Sequence, residues 1–168
     1  MRRVVLTGLL GALPVVVCAA QSGCTSVDPG PNFQVEFAVF DANYFYCHVE
    51  PGMIVAYNCG PGDPSKGDSG NGCHFNSSVV SGMPLIDHPA IDCGGGDVPL
   101  DPTQTATGSP AQSNLQSVSG EMSRDYTTAP VYTRPSSVNG QPPGAHPRAV
   151  FDQSDPTIIG LLSTWAQK

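Results

Sequence analysis

Nineteen glycines and seventeen prolines interrupt this 168-residue chain so often that few long regular elements can form. Proline lacks the amide N–H that helix interiors and central strands require, and glycine loses the most conformational freedom on ordering. A loop-rich chain of this size therefore needs staples, whether disulfides, a metal or a buried cofactor. Its six cysteines are the first place to look for them, and their chemistry depends on the compartment.

The first residues read MRRVVLTGLLGALPVVVCAAQSGC. Arg2 and Arg3 form a positive start, and Val4 to Ala20 form an apolar run broken only by Pro14. The run is too short for a membrane span and reads as a secretory signal, which predicts an exported protein of the periplasm or cell envelope. Gln21-Ser22-Gly23-Cys24 resembles a lipobox, in which the cysteine is lipidated and becomes the new N-terminus, although Gln21 stands where that pattern has leucine. The polar run TSVDPGPN after it has the composition of a tether. The expected division is a lipoprotein-type signal over 1–23, a polar tether over 24–32 and a folded domain over 33–168. Cys24 is then the lipidation site, and the chain sits on a membrane through its acyl anchor without spanning it. The alternative is ordinary cleavage near Ala20, which leaves Cys24 as a thiol or disulfide partner. The net charge of −7 becomes more negative once Arg2 and Arg3 are removed, which argues against a nucleic-acid partner.

The domain has three parts. Phe33 to Cys59 is the most aromatic stretch, with Phe33, Phe37, Phe40, Tyr44 and Cys47 spaced as on one helical face. Asp41 is placed to cap a helix beginning at Ala42, and Glu50-Pro51-Gly52 is expected to end or kink it. From Gly60 to Gly108 the chain is mostly loop, and residues 97–108 carry turn chemistry with no evident need for a packed core. Near the C-terminus, Asp155-Pro156 marks a helix start, and Ile158, Ile159, Leu161, Leu162 and Trp165 form an apolar stripe along the helix that follows.

Cys18 lies in the signal and Cys24 at its end, so Cys47, Cys59, Cys73 and Cys93 belong to the domain. Four cysteines allow three disulfide pairings, which sequence does not rank. The dipeptide Cys73-His74 raises a second possibility. In haem attachment two cysteines form thioethers, and the histidine after the second becomes the proximal iron ligand. The usual spacing is C-x-x-C-H, whereas thirteen residues separate Cys59 from Cys73. Lengthening the loop from two to thirteen residues costs only about 1.7 kcal/mol of closure entropy. Cys47-His48 repeats the dipeptide, with Cys24 as its only upstream partner.

The run FYCHVEPGMIVAYNC, followed later by GCH, then APVYTRPSS, GAHPRAVFDQSDP and IIGLLSTWAQK, resembles bacterial c-type cytochrome lipoproteins over residues 33–168. That resemblance implies a mainly α, loop-rich cytochrome c-like domain with few helices, carrying one covalent haem c. It implies thioethers at Cys59 and Cys73, His74 as proximal ligand, and His146 as distal ligand with Met122 as the alternative. Met83, before Pro84, is a further methionine in a ligand-like dipeptide. Cys47 and Cys93 are left by that assignment to form a disulfide.

The expected function is exported one-electron transfer to a redox partner protein, not catalysis. The alternative is a haem-free, disulfide-stabilised surface lipoprotein with a binding or structural role, in which Cys59 and Cys73 close the loop as a disulfide. Other chemistries are less well supported. His48, His74 and His88 with cysteines lack zinc-finger or H-E-x-x-H spacing. Asp63, Asp68 and Asn71 lack the closing glutamate of a calcium loop. No nucleophile and base can be paired from sequence for a hydrolase.

Overall fold

The computed structural model describes residues 38–68, 72–76, 78, 82–137 and 146–168. The signal, Cys24, the tether, Phe33, Phe37 and Asn71 lie outside the described residues. Asp41, in extended conformation, accepts a hydrogen bond from the Tyr44 amide at 2.7 Å and starts α1 (Ala42–Tyr44), as its position before Ala42 predicts. α1 continues directly into a π-helical stretch, Phe45–Val55, that runs through Pro51. The helix therefore does not end at Glu50-Pro51-Gly52, which corrects that part of the expectation. Pro51 itself is exposed, while Phe45, Tyr46, Val49, Glu50, Met53 and Ile54 are buried on either side of it. That packing carries the helix past a residue that local propensity would use to stop it.

The final helix completes the core. Asp155 caps α4 (Pro156–Gln167) by accepting from the amides of Thr157 and Ile158, and Pro156 takes the first position. The buried face is Ile158, Leu162, Trp165 and Ala166, so the expected stripe narrows to a 4-3-1 spacing while Ile159 and Leu161 are half-buried. Trp165 is fully buried, its ring centroid 5.1 Å from Phe40 and 5.4 Å from Phe45. Its indole N–H donates to the Asp41 carbonyl at 2.9 Å. Arg124 clamps the same junction, donating to the Ala166 and Val39 carbonyls with its guanidinium 4.9 Å from the Phe40 ring. The Tyr57 hydroxyl donates to Asp155 at 2.5 Å, which holds the phenol up at about 12.

Between these helices lie short elements. α2 (Pro110–Gly120), capped by Ser109, follows the turns of residues 97–108. Its sequence PAQSNLQSVSG is mostly polar and gave no amphipathic signal; only Ala111, Asn114 and Val118 are buried. Residues 97–108 are built from hydrogen-bonded turns, with Leu100 donating to the Asp92 carbonyl and Asp101 accepting from Thr103. α3 (Pro130–Thr133) leads into β1 (Ser136–Ser137), which pairs in parallel with β2 (Phe151–Asp152). The mainly helical, loop-rich class holds. Among the described residues no helix is long and apolar enough to cross a membrane.

Two staples tie the first helix to the loops. Cys47 and Cys93 form a disulfide, the pairing that the cytochrome resemblance implies. Buried Glu50 meets Asn114 at 3.0 Å and His88 at 3.1 Å, and Asn114 also bonds both backbone groups of Ile86. The Nδ1 of His88 sits 2.7 Å from the Pro89 carbonyl and donates to it. Replacing both Cys47 and Cys93 by alanine opens a 46-residue separation and should lower unfolding free energy by about 2–4 kcal/mol in a denaturant titration.

Candidate functional site

The segment from Cys59 to Phe75 turns back on itself because its ends are joined by backbone hydrogen bonds. Cys73 and Phe75 donate to the Gly60 carbonyl at 2.9 and 3.1 Å, and His74 donates to the Cys59 carbonyl at 3.1 Å. Gly60 is required there: a Cβ on it would lie 2.3 Å from the Phe75 ring. Within the loop Asp63 caps a single turn of 3-10 helix, Pro64–Lys66, and Gly67 follows at φ +87°. That reversal returns Asp68 to accept from the Asp63 amide at 2.6 Å.

The joined ends open onto a cavity of about 550 Å³. Cys59, Cys73, His74 and His146 all line it, with apolar walls from Met53, Ile54, Met83, Val131, Val150 and Phe151. Four of the site residues expected from sequence are thus gathered at one place. Met122, the alternative distal ligand, is not among them: it is packed in the core and is absent from the cavity lining. Met83 does line the cavity, and close by the Leu85 amide donates to the His74 carbonyl at 2.8 Å.

The two imidazoles are nearly parallel, 23° apart, with ring centroids separated by 6.4 Å. Each is anchored by the same device. Nδ1 of His74 lies 2.7 Å from the Met83 carbonyl, and Nδ1 of His146 lies 2.5 Å from the Arg148 carbonyl. A carbonyl can only accept, so Nδ1 carries the proton and the neutral ring keeps its lone pair on Nε2. The carbonyl bond also fixes the orientation of each ring and leaves Nε2 as the nitrogen free to coordinate. Burial pushes the His74 pKa down, with His146 adding to the effect, so the lone-pair form is favoured.

Cys59 and Cys73 are thiols and not a disulfide, which corrects the expectation that they close the loop by an S–S bond. Burial pushes the Cys59 thiol up to about 12, and Cys73 is also raised, first by burial and then by the Asp68 carboxylate. Neither is poised as a thiolate nucleophile.

Two ion pairs flank the cavity. Arg148 meets Asp68 through Nε and Nη2 at 2.9–3.0 Å, with side-chain exposures of only 16% and 7%. Arg134 meets Glu121 at 3.1 Å and is more exposed. None of these four residues was singled out from sequence as part of the site; Asp68 had been considered only as a calcium ligand. The pairing of Asp68 with Arg148 spans 80 positions, and no local pattern announces it.

The other metal readings come apart. His48 pairs with Asp97 and His88 with Glu50, away from His74. Asp63 is engaged by Ser65 and Lys66, and Asp68 by Arg148. Among the described residues no group of three or more His, Cys, Asp or Glu side chains is gathered for a bare metal ion. Compared with known proteins, the chain matches no family profile, no curated protein and no solved structure. The chemistry of the site rests on its own geometry.

Two outcomes follow. Gly60→Ala should unseat Phe75 and open the loop, seen as faster amide exchange at Cys73 and His74. The Arg148 guanidinium lowers the Asp68 pKa, so the stability contributed by the pair is full above the ordinary carboxylate value of about 3.9 and is lost as pH falls through the lowered value. Wild type should therefore lose more stability on acidification below about pH 4 than Asp68→Asn does, measured by urea unfolding.

Proposed function

We propose that this chain is an exported electron carrier of the c-type cytochrome kind, with haem attached at Cys59 and Cys73 and held axially by His74 and His146. The observation that carries the reading is the histidine pair: parallel rings at a 6.4 Å centroid separation on one cavity, each with Nδ1 tied to a backbone carbonyl. With Nδ1 of each ring spent on a carbonyl, the two Nε2 atoms are the nitrogens that would be free to hold the iron, which haem would bring as a one-electron centre.

The remaining residues fit the group. Two thiols line the same cavity as the histidines, its volume of about 550 Å³ is in the range of cofactor sites, and its walls are largely apolar. When bound, haem would supply a one-electron couple whose potential is tuned by its axial ligands and by exclusion of water. The Met83 and Arg148 carbonyls orient the two rings and raise the basicity of their free nitrogens. Met53, Ile54, Val150 and Phe151 would give the group apolar walls. The joined ends of the Cys59–Phe75 segment bring the cysteines to one side of the cavity despite thirteen intervening residues.

The signal and Cys24 extend the proposal to an envelope protein anchored by acylation, and the excess of acidic residues would favour brief, salt-weakened docking on basic patches of a redox partner. A haem-free surface lipoprotein is the second reading. It draws on the Cys47–Cys93 disulfide, which stabilises the fold without any cofactor.

The full chain, expressed with its leader in a host that attaches haem covalently, tests the choice. The expected result is a cytochrome spectrum that survives acid-acetone extraction, loss of covalent retention in a Cys59→Ser, Cys73→Ser double variant, and conversion to five-coordinate iron in His146→Ala. A colourless wild type with two titratable thiols would sink the electron-transfer reading and favour the haem-free one.

A further inference from the structure

The thirteen residues between Cys59 and Cys73 are more than a tolerated insertion. The loop's turn at Pro64–Lys66 and Gly67 delivers one carboxylate, Asp68, to the inside of the molecule, where its side chain is 7% exposed. There it meets Arg148, two residues beyond His146. Arg148 engages both neighbours at once. Its guanidinium grips Asp68 through Nε and Nη2, and its backbone carbonyl accepts from Nδ1 of His146. A two-residue C-x-x-C spacer would have no room for such a carboxylate.

We infer that Asp68 is a positioning residue for His146: through Arg148 it fixes the orientation of the His146 ring opposite His74, so that the long intercysteine loop holds the second axial ligand in place. The inference rests on the proposed haem site but concerns the chain's own residues. The bond geometry supports a pointed role, because a planar guanidinium held on both carboxylate oxygens has little rotational freedom. The backbone from Arg148 is then fixed on one side by Asp68 and on the other by the Val150 amide, which donates to the Pro135 carbonyl at 2.7 Å. His146 lies two residues before that restrained stretch, and its ring is tied to it by the bond from Nδ1 to the Arg148 carbonyl. His74 is anchored independently by the Met83 carbonyl, so loss of Asp68 should affect one ligand and spare the other.

The experiment compares full-length wild type, Asp68→Asn, Arg148→Lys and Lys66→Ala, each matured with haem and also prepared haem-free. Lys66 is an exposed member of the same loop, paired with Asp63 at 3.8 Å, and serves as the control. In the haem-loaded proteins the expected result is a six-coordinate low-spin spectrum for wild type and Lys66→Ala. Asp68→Asn should retain covalent haem but become largely high-spin, with added imidazole restoring the low-spin form. A low-spin Asp68→Asn protein that differs only in melting temperature would overturn the inference and leave a merely structural ion pair. If Asp68→Asn fails to fold, Arg148→Lys decides by the same spectrum: it keeps the charge but loses the two-pronged grip. If wild type is colourless, the haem reading fails by itself, and nitrogen-15 spectra of the histidine rings decide the positioning role. A single Nδ1–H tautomer at His146 that becomes mixed in Asp68→Asn would sustain it, and an unchanged tautomer would overturn it.

Discussion

The Trp165 indole is the contact on which the rest of the domain depends. It is fully buried between Phe40 and Phe45, and its N–H is spent on the Asp41 carbonyl, the residue that caps the first helix. The last helix is thereby fastened to the start of the first. Burying a side chain of this size is worth roughly 3–5 kcal/mol against alanine, a large share of the stability of so small a domain. One wall of the cavity is built directly on that frame. Met53 and Ile54 form its wall, Cys59 follows their C-terminal end, and Tyr57 ties the same region to Asp155 at the head of α4.

Around this frame the chain uses few regular elements and many specific bonds. Asn114 satisfies Glu50 and both backbone groups of Ile86, so one buried amide joins α2, the first helix and the loop before Pro89. The disulfide adds a covalent link between the same helix and the turn at Cys93. No side-chain polar atom among the described residues is left buried without a partner. A loop-rich fold can be rigid on these terms because its polar groups are satisfied one by one. That rigidity is what holds the two imidazoles of the cavity parallel.

Much of the frame was legible in the sequence. Asp41 before Ala42, and Asp155 before Pro156, are capping signals that depend on the chemistry of adjacent residues, and both mark helix starts in the structure. The apolar positions 158, 162 and 165 were likewise readable from periodicity. The path of the chain through Pro51 was not, because burial of Val49, Glu50, Met53 and Ile54 outweighs a local preference. Nor was α2, whose polar sequence hides a buried face of three residues whose key member, Asn114, is itself polar. In the site, Cys59, Cys73, His74 and His146 could be nominated by residue type, while Met122 was nominated on the same ground and went to the core.

By itself the sequence determined the local chemistry: which residues cap helices, as Asp41 and Asp155 do, where turn residues cluster, and which side chains could ligate. Only the tertiary structure decided which candidates meet. His74 and His146 stand 72 positions apart and face each other with ring centroids 6.4 Å apart, Asp68 and Arg148 stand 80 apart and are joined by an ion pair, and neither pairing leaves a trace in the neighbouring residues. Caps and turns are written over three or four residues and can be read there. A cavity is written by the closing of distant segments, and the hydrogen bonds that orient its histidines come from carbonyls that every residue has.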